Sequence, residues 1–121
     1  MARILIVDDS PSQLMGMKRI VEAMGHTVVT AEDGSAGVAA AKKHVPDLIL
    51  MDVVMPNLNG FQATRTISKD AKTSHIPIVL VTTKDQETDR VWGMRQGAKA
   101  YVTKPVNEGE LMDTIGKLLP A

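Results

Sequence analysis

With 121 residues, of which 44% are hydrophobic, the chain has the size of one domain and enough apolar material to build a core. It contains no cysteine, which excludes disulfides, thiolate metal sites and cysteine nucleophiles. Fourteen basic residues balance fourteen acidic ones, and no basic run is interleaved with the three aromatics Phe61, Trp92 and Tyr101, so nothing points to nucleic-acid binding.

The chain starts MARILIVDDS, where one basic residue precedes only the apolar run Ile4 to Val7. That is far short of a secretory core or a membrane span, and the expectation is a cytoplasmic protein without membrane insertion. The run itself reads as a first strand. Ser10 is placed to cap a helix whose first residue is Pro11, with Leu14, Met17, Val21 and Met24 as its apolar stripe and Gly25 as its end. Val28 to Ala31 reads as a second strand, and Gly34 to His44 as a second helix stopped by Pro46. A third strand is expected at Leu48 to Met51, followed by a helix capped by Asn59 with Phe61, Thr64 and Ile67 facing inward. Ile78 to Val81 reads as a fourth strand, and Asp85 as the opening of a fourth helix that Gly97 closes. On that helix Val91, Met94 and Ala98 are expected to face the core, with Trp92 half-buried on the flank towards the third helix and not an anchor for partners. A weaker strand around Ala100 to Val102 precedes a last helix over Asn107 to Leu119, with Leu111, Ile115 and Leu118 along one side.

The strand runs are nearly continuous in apolar character, which marks strands covered on both faces, as in a parallel sheet. Five strands alternating with five helices through short connections predict a doubly wound α/β fold filling residues 1 to 121 as a single domain. In such sheets ligands bind beyond the carboxyl ends of the strands. Asp8 and Asp9 follow the first strand, Asp52 the third, Thr82 and Thr83 end the fourth, and Lys104 follows the fifth. All of these side chains therefore belong at one edge.

Three carboxylates gathered there repel one another by about 1 kcal/mol per pair at 4 Å in water, and by more where solvent is partly excluded. A cation belongs among them. With hard oxygen ligands and no thiolate, Mg2+ is the natural choice, since it keeps several waters and leaves room for a phosphate. A carboxylate is also a competent nucleophile towards phosphorus. In phosphoryl transfer a protein mostly positions groups and neutralises charge, and Lys104 and the Thr82 hydroxyl suit that task. The bond before Pro105 is expected to be cis, aiming Lys104 inward.

These residues resemble a known family. IVDD near the start, ILMDVVMP around Asp52, VTT with Thr82, and the run Tyr101-Val-Thr-Lys104-Pro105 are similar to the receiver domains of bacterial response regulators of the single-domain CheY type. The resemblance covers essentially the whole chain. It implies the strand order 2-1-3-4-5 and an acyl phosphate on Asp52 donated by a histidine kinase. Mg2+ would be held by Asp9, Asp52 and the Val54 carbonyl, with Asp8 assisting through water. Thr82 and Tyr101 would couple phosphorylation to an output surface bordered by Arg90 and Met94. Within the family the chain is most similar to regulators of chemotaxis-like systems that govern type IV pilus twitching motility. A downstream motility protein or a sister regulator from which phosphate is drained are then the expected partners, and the protein is expected to be a monomer. Thr83 stands where Ala or Gly is frequent in the family, and Val54 and Lys84 occupy positions that tune phosphoryl hydrolysis.

Two other classes compete. A haloacid dehalogenase-type hydrolase also uses a strand-end aspartate and Mg2+, but it places a second acid two residues later, where this chain has Val54. A flavodoxin-like binding module is disfavoured by the scarcity of aromatics and the lack of a Ser/Thr-rich phosphate loop. Slow self-dephosphorylation, rather than turnover of a substrate, is the expected chemistry. His26, His44 and His75 are read as surface residues, and Gly34, Gly60 and Gly97 as turn or cap positions, since neither GxxxxGK nor GxGxxG occurs.

Overall fold

The computed structural model describes residues 1–120. Strands and helices alternate: β1 (Arg3–Val7), α1 (Pro11–Ala23), β2 (Thr27–Ala31), α2 (Gly34–His44), β3 (Leu48–Met51), α3 (Gly60–Lys69), β4 (Ile78–Thr82), α4 (Glu87–Arg95), β5 (Ala100–Thr103) and α5 (Glu108–Leu118). The five strands form one sheet in the order β2-β1-β3-β4-β5, with every pair parallel. This is the expected doubly wound α/β architecture.

Two apolar layers explain why the strand runs lack alternation. Leu5, Val7, Ile49, Met51, Ile78 and Leu80 point to one face, where Ala41 of α2 and Ala63 and Ile67 of α3 cover them. Ile4, Ile6, Leu48, Leu50, Val79 and Val81 point to the other, under Met17 and Val21 of α1 and Leu111 and Ile115 of α5. Full burial of each such side chain stabilises the fold by roughly 1.5–3 kcal/mol, so both faces of the sheet are held. The register then fixes the functional edge. Val7 pairs with Ala31 and Met51, Met51 with Leu80, and Thr82 with Thr103, so the residues that follow these strands emerge side by side.

The helix ends follow local chemistry with some corrections. Asn59 caps α3 by accepting from the Gln62 N–H at 2.9 Å, while the Gln62 side chain accepts from the Asn59 N–H at 3.1 Å. Asp33 and Asn107 cap α2 and α5 in the same sense. Ser10 precedes α1, yet its hydroxyl caps nothing and instead lies 3.3 Å from that of Ser12. Asp85 does not open α4, because Gln86 occupies the cap position and the helix begins at Glu87. Gly97 ends α4 with φ of +116°, a conformation that costs glycine nothing.

The inner face of α4 departs most from expectation. Val91 and Met94 are exposed, and the positions that turn inward are Gly93, Gln96 and, beyond the helix, Ala98. Gly93 is required there. A Cβ at that position would press on Leu80 Cδ1 at 2.6 Å, with Phe61 and Tyr101 each at 3.3 Å. The helix packs by close approach of its backbone, so an apolar stripe is unnecessary. Trp92 keeps 51% of its surface exposed.

Candidate functional site

The site is assembled by three chain segments that leave the sheet together. Asp8 leaves β1 and is 1% exposed, Asp52 leaves β3 and is 6% exposed, and Asp9 faces solvent. One carboxylate oxygen from each lies within 4.8 Å of the others. Gly60 makes this crowding possible from below, because a side chain there would collide with the Asp52 carbonyl and the Val53 Cα. The Gly60 N–H donates to the Val53 carbonyl at 2.9 Å, which ties the start of α3 to the segment after Asp52.

Lys104 enters from the end of β5, where the Lys104–Pro105 bond is cis. Its Nζ lies 2.8 Å from Asp8 Oδ2 and 3.6 Å from Asp52 Oδ1, with the three side chains almost wholly buried. Two backbone donors complete the carboxylates' partners. The Ser10 N–H donates to Asp8 Oδ1 and the Val53 N–H to Asp52 Oδ1, each at 2.9 Å. Neither donor leaves a signal in the amino-acid types, since any residue but proline supplies an N–H.

Burial pushes the Asp52 carboxyl above its ordinary range; Lys104 pulls it down, and Asp8 and Asp9 add to the rise. A single lysine therefore does not neutralise the cluster. An oxygen-rich, electron-rich corner with three convergent carboxylates fits a hard divalent cation of the Mg2+ type better than any soft metal. An open groove of about 500 Å³ between α1 and α2 reaches Asp8 and is bordered by Leu14, Met15, Thr30 and Glu32.

The other residues singled out from the sequence divide into two groups. Thr82 is fully buried at the end of β4, and its Oγ1 accepts from the Lys84 N–H at 3.2 Å. Tyr101 is 8% exposed, and its hydroxyl donates to the Lys84 carbonyl at 2.7 Å. Both side chains thus meet the backbone of Lys84, a convergence that spacing alone does not reveal. Burial, with help from Asp89 and Asp85, pushes the Tyr101 hydroxyl up to about 12, against an opposing pull from Arg90. Val54 is 56% exposed in the turn after Asp52, and Thr83 and Met94 are exposed. His26 is partly buried and its Nδ1 accepts from the Ala2 N–H at 3.0 Å, a structural role far from the acidic edge.

No helix among the described residues is long and apolar enough to cross a membrane. Residues 4–116 match the model of the response regulator receiver domain. The chain is 60% identical over 119 residues to the protein PilH of Pseudomonas aeruginosa, covering 98% of each. It is 38% identical to the response regulator PleD of Caulobacter vibrioides, of which it spans only 26%. Among solved structures it superposes on the chemotaxis protein CheY4 of Vibrio cholerae with a TM-score of 0.92 at 32% identity, covering 98% of this chain and 99% of that one. The receiver domain of a Pseudomonas aeruginosa sensor histidine kinase, solved with a magnesium ion coordinated in its active site cleft, superposes with a TM-score of 0.89 at 29% identity, over 97% and 96% of the two chains. Together with five parallel strands in the order 2-1-3-4-5 and an acidic edge facing a buried lysine, these matches place the chain in the response regulator receiver domain family.

Proposed function

We propose that the whole chain, residues 1–121, is one receiver domain in which Asp52 accepts a phosphoryl group from a histidine kinase. The observation that carries this reading is the Asp52 carboxylate at the mouth of the sheet, 3.6 Å from Lys104 Nζ and within 4.8 Å of Asp8 and Asp9. A carboxylate oxygen of Asp52 attacks phosphorus, the new O–P bond forms as the donor's N–P bond breaks, and the electron pair leaves with the donor imidazole. Asp9, Asp52 and the Val54 carbonyl would hold Mg2+, with Asp8 assisting through water. When bound, the ion supplies positive charge to phosphoryl oxygens that one lysine cannot balance.

The remaining work falls to the chain itself. Lys104 is held by Asp8 and needs only a small reorientation to place its ammonium against a phosphoryl oxygen. The Thr82 hydroxyl accepts one hydrogen bond from Lys84 and retains its own proton to donate to a second oxygen. That donation moves the Lys84 backbone, and the Tyr101 hydroxyl bonded to the same residue follows, carrying the signal to the flank of Arg90 and Met94. The protein acts as a monomeric phosphoacceptor that loses its phosphate slowly and turns over no other substrate. Its similarity to PilH supports a place in a cytoplasmic chemotaxis-like pathway of type IV pilus motility.

The test is intact mass after incubation with acetyl phosphate and Mg2+. Wild-type protein gains one phosphoryl mass and Asp52→Asn gains none, because an amide oxygen is a poor nucleophile. Undiminished modification of the variant would move the acceptor elsewhere.

A further inference from the structure

Helix α4 is inside out: its inward positions are glycine and glutamine, while Val91, Trp92 and Met94 are turned towards solvent at 44%, 51% and 39% exposure. Leaving large apolar side chains in water gains nothing for the fold. Trp92 and Arg90 are two residues apart, about 200° of helical turn, so they border different faces. Gln96, one turn on from Trp92, accepts from the Arg65 guanidinium of α3 at 3.5 Å. Trp92 therefore lies on the α3 side, away from the flank that Tyr101 addresses.

That α3 side is rich in cations. Helix α3 contains Arg65 and Lys69 and no acid, and Arg65 lies one turn from Phe61, which is partly buried beside Gly93. Arg95 follows Trp92 by three residues and shares its flank. The acids of α4 are confined to its first turn, where Asp89 pairs with Lys84 at 3.9 Å. Among the described residues Arg65, Lys69 and Arg95 have no carboxylate within 4.0 Å. An exposed tryptophan one turn from Arg95, on the side where α3 presents Arg65, with neither arginine paired to a carboxylate, has the residue composition that anchors protein interfaces, where aromatic and arginine side chains carry most of the binding energy.

We propose that the α3–α4 face, centred on Trp92, Arg65 and Arg95, docks an acidic amphipathic segment of a partner protein, whose apolar side chain packs on the indole while its carboxylates meet the guanidinium groups. Charge complementarity selects this occupant. The surface is cationic where the molecule as a whole is neutral, and arginine matches a carboxylate in a planar two-point contact. The assignment is independent of the phosphoacceptor reading, because it rests on a surface outside the acidic edge.

Trp92 is the sole tryptophan, so its fluorescence reports this face directly. The probe is a synthetic amphipathic helical peptide with leucines on one side and glutamates on the other, compared with versions carrying lysine in place of glutamate. Titration without any phosphodonor is expected to blue-shift Trp92 emission and shield it from acrylamide with the glutamate peptide, and to leave it unchanged with the lysine peptide. Amide shifts should map to α3 and α4. Arg95→Glu, at an exposed position, should keep the thermal midpoint of the fold, Arg65→Glu should stay folded while giving up its contact with Gln96, and each should weaken peptide binding by at least about tenfold. Binding that survives both reversals would overturn the proposal, as would equal binding of the lysine peptide or shifts confined to the Tyr101 flank. A Trp92-dependent dimer in sedimentation would assign the face to a second copy, and stronger protection by duplex DNA would assign it to nucleic acid; either result also overturns it.

Discussion

Lys104 sits 2.8 Å from Asp8 and 3.6 Å from Asp52, and each carboxylate also accepts one backbone N–H at 2.9 Å. Asp8 has the closer ammonium. Asp52 has the longer contact, so burial and the neighbouring carboxylates outweigh the lysine and push its carboxyl upward. Asp8 and Asp52 are legible in the sequence because each directly follows an apolar run, and Asp9 and Lys104 lie one residue further from the end of theirs. The backbone partners of Asp8 and Asp52, at Ser10 and Val53, are not, since a donor N–H has no residue signature. Tyr101 presents a separate test at the same scale. Its hydroxyl is buried against the Lys84 carbonyl with Asp89 and Asp85 nearby, and it is pushed up to about 12, whereas an exposed phenol titrates near about 10. A raised folded value means that the neutral form is favoured by the fold. The associated stability is fully present below about 10 and is lost as the pH rises through about 12. Tyr101 is the only tyrosine, so an ultraviolet titration reads it without ambiguity. The folded protein should ionise late and the denatured chain near the ordinary value; coincident midpoints while the fold is intact would show that the hydroxyl is free in solution.

At the scale of the elements, agreement with the sequence depended on whether an element uses side-chain periodicity. α1 and α5 bury Met17 with Val21, and Leu111 with Ile115, at helical spacing, and that spacing marks both helices in the sequence. α4 has nine residues and no buried apolar side chain, so its expected inward face of Val91 and Met94 was wrong. Only a tertiary contact explains its packing, namely the close approach of Gly93 to Leu80, Phe61 and Tyr101. Capping shows the same division. Asn59 and Ser10 are both strong cap residues by type, yet the Asn59 side chain is bonded to the helix and the Ser10 hydroxyl is not. Asn59→Ala should therefore cost about 1 kcal/mol of unfolding free energy, while Ser10→Ala should change it by less than about 0.5 kcal/mol. Urea denaturation of the two variants separates them. Equal losses would mean that Ser10 caps α1 in solution.

Taken as a whole, the molecule places its most stable packing directly beneath its least comfortable charges. Fully buried Val7 and Met51 end the strands that deliver Asp8 and Asp52, so the carboxylates have little room to move apart. The sheet and its order were legible because parallel strands covered on both faces leave continuous apolar runs. The depth of the acidic site was not, because burial of Asp8 and Asp52 depends on how α3 and the turn after β5 close over them. This arrangement couples overall stability to ligation. With a folded value raised above the unfolded one, the Asp52 carboxyl contributes stability that is complete below about 4 and is lost as the pH rises through its folded value. At neutral pH and in the presence of a chelator, wild-type protein bears that loss and Asp52→Asn does not. The variant should then melt at a higher temperature, and the gap should close on acidification, when the wild-type carboxyl becomes neutral. Magnesium should offset that loss in the wild-type protein. At an ion concentration ten times the dissociation constant, a ligand that binds only the folded state stabilises it by about 1.4 kcal/mol, and the variant, lacking one ligating charge, should gain less. Thermal melts in chelator and in Mg2+, each at acidic and neutral pH, measure all of these differences. A wild-type protein that matches Asp52→Asn in chelator at both pH values would show that the buried carboxylate carries no folding cost, and a magnesium response retained in full by the variant would remove Asp52 from the metal site.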